Sequence, residues 1–215
     1  MNRKLICFIS SLLFCLISNA QEHISFNGST FGKRRPEFIS SMKCYPTDPK
    51  IIGHTEKNLY NRYHYSNVYL NSYKCQMFLH SSIKGDNVFE TIVWFRVSEM
   101  QDELKYFLTI FEEKYGGHIK ERQDQLGYGG DVSLSVNSGY DGYYGCTGPR
   151  YKEMLALKYF IKGSNGTPIG EIRISCIPDT NSGSTKYGWI EITYRDYAAS
   201  ESAIAEYKKV MNDIL

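Results

Sequence analysis

Residues 188–196 read GWIEITYRD, and their alternation decides the fold. Ile190, Ile192 and Tyr194 point one way, Glu191, Thr193 and Arg195 the other. A period of two residues is that of a β-strand, and apolar residues on one side only predict a sheet with one covered face and one face in water. The same pattern extends outward along the chain. GEIRISCI (170–177) sets Ile172, Ile174 and Cys176 opposite Glu171, Arg173 and Ser175, and MLALKYFIK (154–162) alternates in the same way. Between them Gly163-Ser164-Asn165-Gly166-Thr167-Pro168 predicts a hairpin, because Asn-Gly tolerates the left-handed backbone that tight turns need. NVFETIVWFRV (87–97), KCQMFLH (74–80) and DVSLSV (131–136) read as further strands.

Helical spacing replaces this pattern in three places. Met100, Leu104, Phe107, Leu108, Phe111 and Tyr115 recur at three- and four-residue intervals, Ser98 and Gln101 form a capping box, and Gly116-Gly117 ends the run. A second helix is predicted from about Glu201 to the C-terminus, capped by Ser200, with Ala203, Ile204, Tyr207, Val210, Met211 and Ile214 on one face. A short helix starting at Pro36 buries Phe38, Ile39 and Met42. The expected architecture is therefore α+β: an antiparallel sheet with two longer helices and one short N-terminal helix packed on it. The order strand, strand, helix occurs twice, ending at Tyr115 and at Leu215, and suggests two similar halves.

The first twenty residues predict the compartment. Arg3 and Lys4 precede an apolar run from Leu5 to Ile17, and Ser18-Asn19-Ala20 is a small-residue cleavage pattern. This reads as a signal peptide over 1–20 followed by a single domain over 21–215, with periplasm, cell surface or extracellular space as destination. A lipid anchor at Cys15 is the rival, disfavoured by the bulky Phe14 before it. Without Arg3 and Lys4 the 25 basic residues become 23, against 23 acidic ones. A neutral chain has no long-range pull on nucleic acid, and Lys33-Arg34-Arg35 is its only basic run. Beyond the leader no segment reads as a membrane span.

Four cysteines remain after position 20: Cys44, Cys75, Cys146 and Cys176. An even number in an oxidising compartment predicts two disulfides, and three pairings are open. If Cys146 joins Cys176, then Cys44 joins Cys75. No C-x-x-C pair supports a redox or zinc site.

Common catalytic motifs are missing: no G-x-S-x-G, H-E-x-x-H, phosphate loop or dinucleotide fingerprint occurs. His54, His64 and His80 could be drawn together as a metal site, but their spacing suits isolated surface or hydrogen-bonded side chains better. Asp131, Asn137 and Asp141 lack the spacing of a calcium loop and read as turn residues. No cofactor or metal is expected.

HISFNG, EFISSM, SYKC, ELKYFLTIFEEKYG, GEIRISCI and GWIEITYRD, in this order, resemble a group of uncharacterised small exported proteins from anaerobic gut bacteria. The resemblance implies export and one domain. It implies no catalytic residue.

Residues 139–151, GYDGYYGCTGPRY, hold four tyrosines and four glycines around Cys146. Tyrosine offers contact area at low entropic cost and glycine allows close backbone approach, the composition that recognition loops favour. A disulfide from Cys146 would preorganise such a loop; the plainer reading is a stapled connection in a tyrosine-rich chain. The expectation is an exported, non-enzymatic module that binds a protein or glycan through Tyr140, Asp141, Tyr143 and Tyr144. The alternative is a hydrolase of envelope or dietary polymer with an unrecognised carboxylate site, which would show two carboxylates, one with a raised pKa. A structural envelope protein that forms homo-oligomers is a third possibility.

Overall fold

Central to the molecule is a pairing that local sequence does not reveal. In the computed structural model, which describes residues 22–43, 49–56, 60–70, 72–122, 155–178 and 188–213, strand β10 (Gly188–Asp196) lies antiparallel to β6 (Val88–Val97), with Tyr194 opposite Thr91 and Glu191 opposite Trp94. From this pair the sheet grows both ways. On one side follow β5 (Tyr73–Ser81), β4 (Asn61–Leu70) and β3 (Lys50–Glu56); on the other come β9 (Pro168–Pro178), β8 (Leu155–Lys162) and β7 (Ile119–Arg122). All neighbours are antiparallel, giving an eight-stranded sheet, with β1 (Ser25–Phe26) and β2 (Ser29–Thr30) forming a separate ribbon.

The expected α+β architecture with strand, strand, helix halves is thereby corrected. The described residues form ten strands and three helices, so the fold is dominated by strands, and four sheet strands precede each of the longer helices. β3, β4 and β7 were missing from the expectation. β3 has no buried apolar stripe, because it is an edge strand exposed along nearly its whole length, and β4 interleaves Tyr63 and Tyr65 with Arg62 and His64, a period of two written in amphipathic residues. The expected strand DVSLSV lies outside the described residues.

The apolar face holds the main core. Met77, Leu79, Val93, Phe95, Ile172, Ile174, Ile190 and Ile192 of the sheet pack with Phe107 and Phe111 of α2 (Met100–Tyr115) and with Phe38 of α1 (Arg35–Ser41). Phe107 lies 5.3 Å from the Phe95 ring and Phe111 5.6 Å from Tyr159. Replacing so buried a ring by alanine costs about 3–5 kcal/mol. Pro36 opens α1, where its missing N–H is no loss.

Two helix starts differ from expectation. Glu99, not Ser98, precedes the first turn of α2, and no side chain caps it. α3 runs Tyr197–Asn212, four residues earlier than the sequence predicts, because the Asp196 carboxylate accepts from the Ala199 N–H and serves as its cap. Ser200, the expected cap, lies inside the first turn and donates to the Asp196 carbonyl at 2.6 Å. The hairpin between β8 and β9 turns at Gly166 (φ +80°), with the Gly163 N–H on the Thr167 carbonyl at 2.8 Å.

Candidate functional site

The sheet's second face departs most from the sequence reading. Glu191, Thr193 and Arg195 were expected in water, yet they are 3%, 1% and 9% exposed. Both faces of the sheet are covered here, so these polar residues must be satisfied by one another. Register brings them together. Arg195 of β10 stands opposite Glu90 of β6 on one side and Glu171 of β9 on the other, while His80 of β5 stands opposite Glu90.

Glu90 is the hub. Its Oε1 pairs with His80 Nδ1 at 2.8 Å, and its Oε2 accepts from Arg195 Nε at 2.7 Å. Burial alone would raise the Glu90 pKa, but the Arg195 charge and the His80 and Arg195 hydrogen bonds outweigh it and hold the carboxyl below its ordinary value. Burial lowers the His80 pKa, against the pull of Glu90, so the ring is neutral and Nδ1–H donates to the carboxylate. Glu171 continues the network, taking Arg173 Nη2 at 2.7 Å, Lys158 Nζ at 3.4 Å and the Tyr197 hydroxyl at 2.8 Å.

Glu191 stands apart from this chain of ion pairs. The Trp94 indole N–H donates to its Oε2, and around it Phe78, Ile92 and Trp94 form an apolar cluster packed by Trp189. Burial pushes the Glu191 pKa up to about 8, against the lowering effect of the Trp94 hydrogen bond. At neutral pH one buried carboxyl on this face is ionised and another is protonated, the division of labour that acid–base chemistry uses.

A groove lies between α1 and the edge of the sheet. It encloses about 430 Å³ and is lined by Arg35, Pro36, Ile39, Pro49, Ile51 and Tyr65. Arg35 is fixed there: Nε donates to Asp86 Oδ2 at 3.0 Å, Nη1 donates to the Tyr65 hydroxyl at 3.3 Å, and the guanidinium sits 4.3 Å above the Tyr63 ring. Asp86 adopts a left-handed backbone (φ +53°) in the turn between β5 and β6, a conformation that costs a non-glycine residue of order 1 kcal/mol. Ser81 Oγ holds its second carboxylate oxygen at 2.5 Å.

A smaller cavity of about 120 Å³ sits beside α3, lined by His23, Ser82, Asn87, Ser202 and Glu206. His23 Nδ1 lies 3.0 Å from Asp196 Oδ1, so the start of the described chain is tied to the cap of α3.

Most residues singled out from sequence fall elsewhere. Tyr140, Asp141, Tyr143 and Tyr144, like Asp131, Asn137, Cys44 and Cys146, lie outside the described residues. Cys176 belongs to β9, but its side chain is outside the described set. Cys75, expected in a disulfide, is a free thiol, 3% exposed, with Sγ donating to the Tyr73 carbonyl at 3.2 Å. The three histidines do not converge: His54 stacks on Tyr63, His64 stacks on Phe78 and His80 serves Glu90. Among the described residues no three His, Cys, Asp or Glu side chains are placed to hold a metal ion, and no helix is long and apolar enough to cross a membrane.

Sequence reasoning missed Glu90, Glu171, Glu191 and Arg195 as a cluster. Their signal was present as charged residues at alternate strand positions, but that pattern reads as a solvated face until the strand order is known. No family model, curated protein or solved structure matches the chain.

Proposed function

We propose that this protein is an exported, non-enzymatic interaction module that binds a protein or glycan partner outside the cytoplasm. The groove between α1 and β3 supports this reading most directly. It has the size of a ligand site, combines apolar walls with one immobilised guanidinium, and borders solvent-exposed Ile51. By contrast, the ion pairs of the polar sheet face are buried and engage one another, as a network that holds strands in register would. The leader-like residues 1–20 support export, and the Tyr/Gly composition of 139–151 supports a second contact through Tyr140, Asp141, Tyr143 and Tyr144.

Affinity capture from native envelope and secreted fractions tests it, comparing wild type with an Ile39→Asp groove variant and with the Tyr140, Tyr143 and Tyr144 to serine variant at matched folding. A partner held by wild type and lost by either variant is the expected result. Identical captures by all three proteins would overturn the reading.

A second reading is a polymer hydrolase with Glu191 as proton donor: the opposed pKa shifts of Glu90 and Glu191 suit it, whereas their burial, away from both described cavities, opposes it. Hydrolysis of peptidoglycan or polysaccharide by wild type and its loss in Glu191→Gln would support that reading. Equal activity in the two proteins would sink it.

A further inference from the structure

Edge strands of a sheet present unpaired backbone donors and acceptors, and proteins usually protect them with charge, bulges or cover. β3 and β7 are the outermost strands of the described sheet. β3 carries a bulge and the charges of Lys50 and Glu56 but little cover: Ile51 and Ile52 are 51% and 58% exposed, and of its seven residues only Gly53 is half-buried. A bulge at Ile52 interrupts its pairing with β4, after which Gly53–Glu56 run in regular register against His64–Asn61. Beyond the bulge four residues keep regular pairing, and Ile52 within it is exposed.

The groove described above opens along this same edge. Ile51 stands opposite Tyr65 in the ladder, and both line the groove, whose far wall is Pro36 and Ile39 of α1. A strand added to β3 would run about 4.8 Å beyond it, so alternate side chains would drop into the groove. The cations here are Arg35 on the groove wall, ion-paired with Asp86 at 3.0 Å, and Lys50, which precedes Ile51 in β3. Arg35, held by Asp86 and Tyr65, places a fixed cation on the groove wall.

We infer that β3 is a docking edge for an extended segment of a partner protein in which apolar and acidic residues alternate. The inference rests on the reading of this protein as an interaction module and names the partner's chemistry. Main-chain hydrogen bonds to Gly53–Glu56 supply affinity, apolar side chains of the segment that continues past the bulge fill the groove against Ile39 and Ile51, and carboxylates meet Arg35 and Lys50. The bulge limits pairing to one stretch of the edge, which sets the register of the incoming strand.

The test uses labelled synthetic peptides on the intact protein. A short peptide alternating valine and glutamate should bind. Its counterpart with lysine for glutamate, and its counterpart N-methylated at alternate amides, should each bind about tenfold more weakly or worse. Ile51→Asp, at an exposed position, should lose the first peptide while keeping its near-ultraviolet circular dichroism. Arg35→Gln should narrow the gap between the glutamate and lysine peptides. Absence of binding by the first peptide, equal binding by the N-methylated one, or unchanged binding by Ile51→Asp would overturn the inference. So would a wild-type dimer that competes with the peptide, since the edge would then serve a second copy of this chain. Capture from native fractions separates the two levels: a partner retained by Ile51→Asp but lost by the tyrosine variant leaves the module reading standing without the docking edge, whereas no variant-sensitive partner at all removes both.

Discussion

Trp94 donates its indole N–H to the carboxyl of Glu191 inside the sheet's second face, from the strand position directly opposite. The pair links a protonation state to a fluorophore and to stability. Burial raises the Glu191 pKa from 4.5 to about 8, so the folded state holds this proton where the unfolded chain releases it. Between those values folded protein binds more protons than unfolded, and stability falls as pH rises from about 5 to 8, by an amount on the order of a few kcal/mol. His80, with its lowered pKa, acts in the opposite sense over part of that window, so thermal denaturation should show the decline as the difference between wild type and Glu191→Gln. Tryptophan emission should titrate near pH 8 in wild type and not in the variant; an identical slope in both proteins would refute the assignment.

Glu90 carries the opposite sign. Its pKa is depressed by Arg195 and His80 despite burial, so it contributes stability above the ordinary carboxylate range that is lost as the medium is acidified through its folded value. Removing one member of a buried pair strands the other. Arg195→Met should therefore destabilise by about 3–5 kcal/mol, while Glu90→Gln combined with Arg195→Met should recover part of the loss. Urea denaturation of the single and double variants measures this, and additive losses would show that the two side chains are not coupled.

How far the fold could be read depended on whether the decisive contact was local. Phe107, Phe111 and Gly116 define α2 within one short segment, and the Asn165-Gly166 hairpin is equally self-contained. The order of strands is different. Tyr194 opposite Thr91 joins residues about a hundred positions apart, and neither strand's composition names its partner. That pairing also decides the polar face: Glu191, Thr193 and Arg195 look solvated in isolation and become interior once Glu90, Glu171 and His80 are set beside them. The start of α3 was misread for a related reason. Ser200 and Asp196 are both good cap residues, and the choice falls to Asp196 because it also serves His23 and Ile24 at the other end of the chain.

Cys75 offers a check on redox state. Its thiol is buried beside the Tyr73 carbonyl, and burial pushes its pKa up to about 12. A thiol so placed is protonated and shielded, so it should resist thiol reagents in the native protein. Denaturation without reductant should expose a reactive thiol that the Cys75→Ala variant lacks. If the variant instead exposes one more thiol than wild type, that of a partner cysteine left behind, Cys75 is engaged in a disulfide and the free-thiol assignment is wrong.

Asp196 concentrates three ties in one buried carboxylate. Oδ1 accepts from the Ala199 N–H at 2.8 Å and meets His23 Nδ1 at 3.0 Å, while Oδ2 accepts from the Ile24 N–H at 2.8 Å. The first caps α3, and the other two fasten the segment before β1 to the end of β10. Loss of a cap costs about 1 kcal/mol, and each buried N–H left without a partner adds about 1–3 kcal/mol. Asp196→Ala should therefore destabilise by more than a cap alone, roughly 3–5 kcal/mol in total. Hydrogen exchange should show where the loss falls: amides of both Ile24 and Ala199 should lose protection together in Asp196→Ala. If only the Ala199 amide responds, the N-terminal segment is held by its own packing, through Ile24 and Phe26 in the core, and the carboxylate is merely a helix cap.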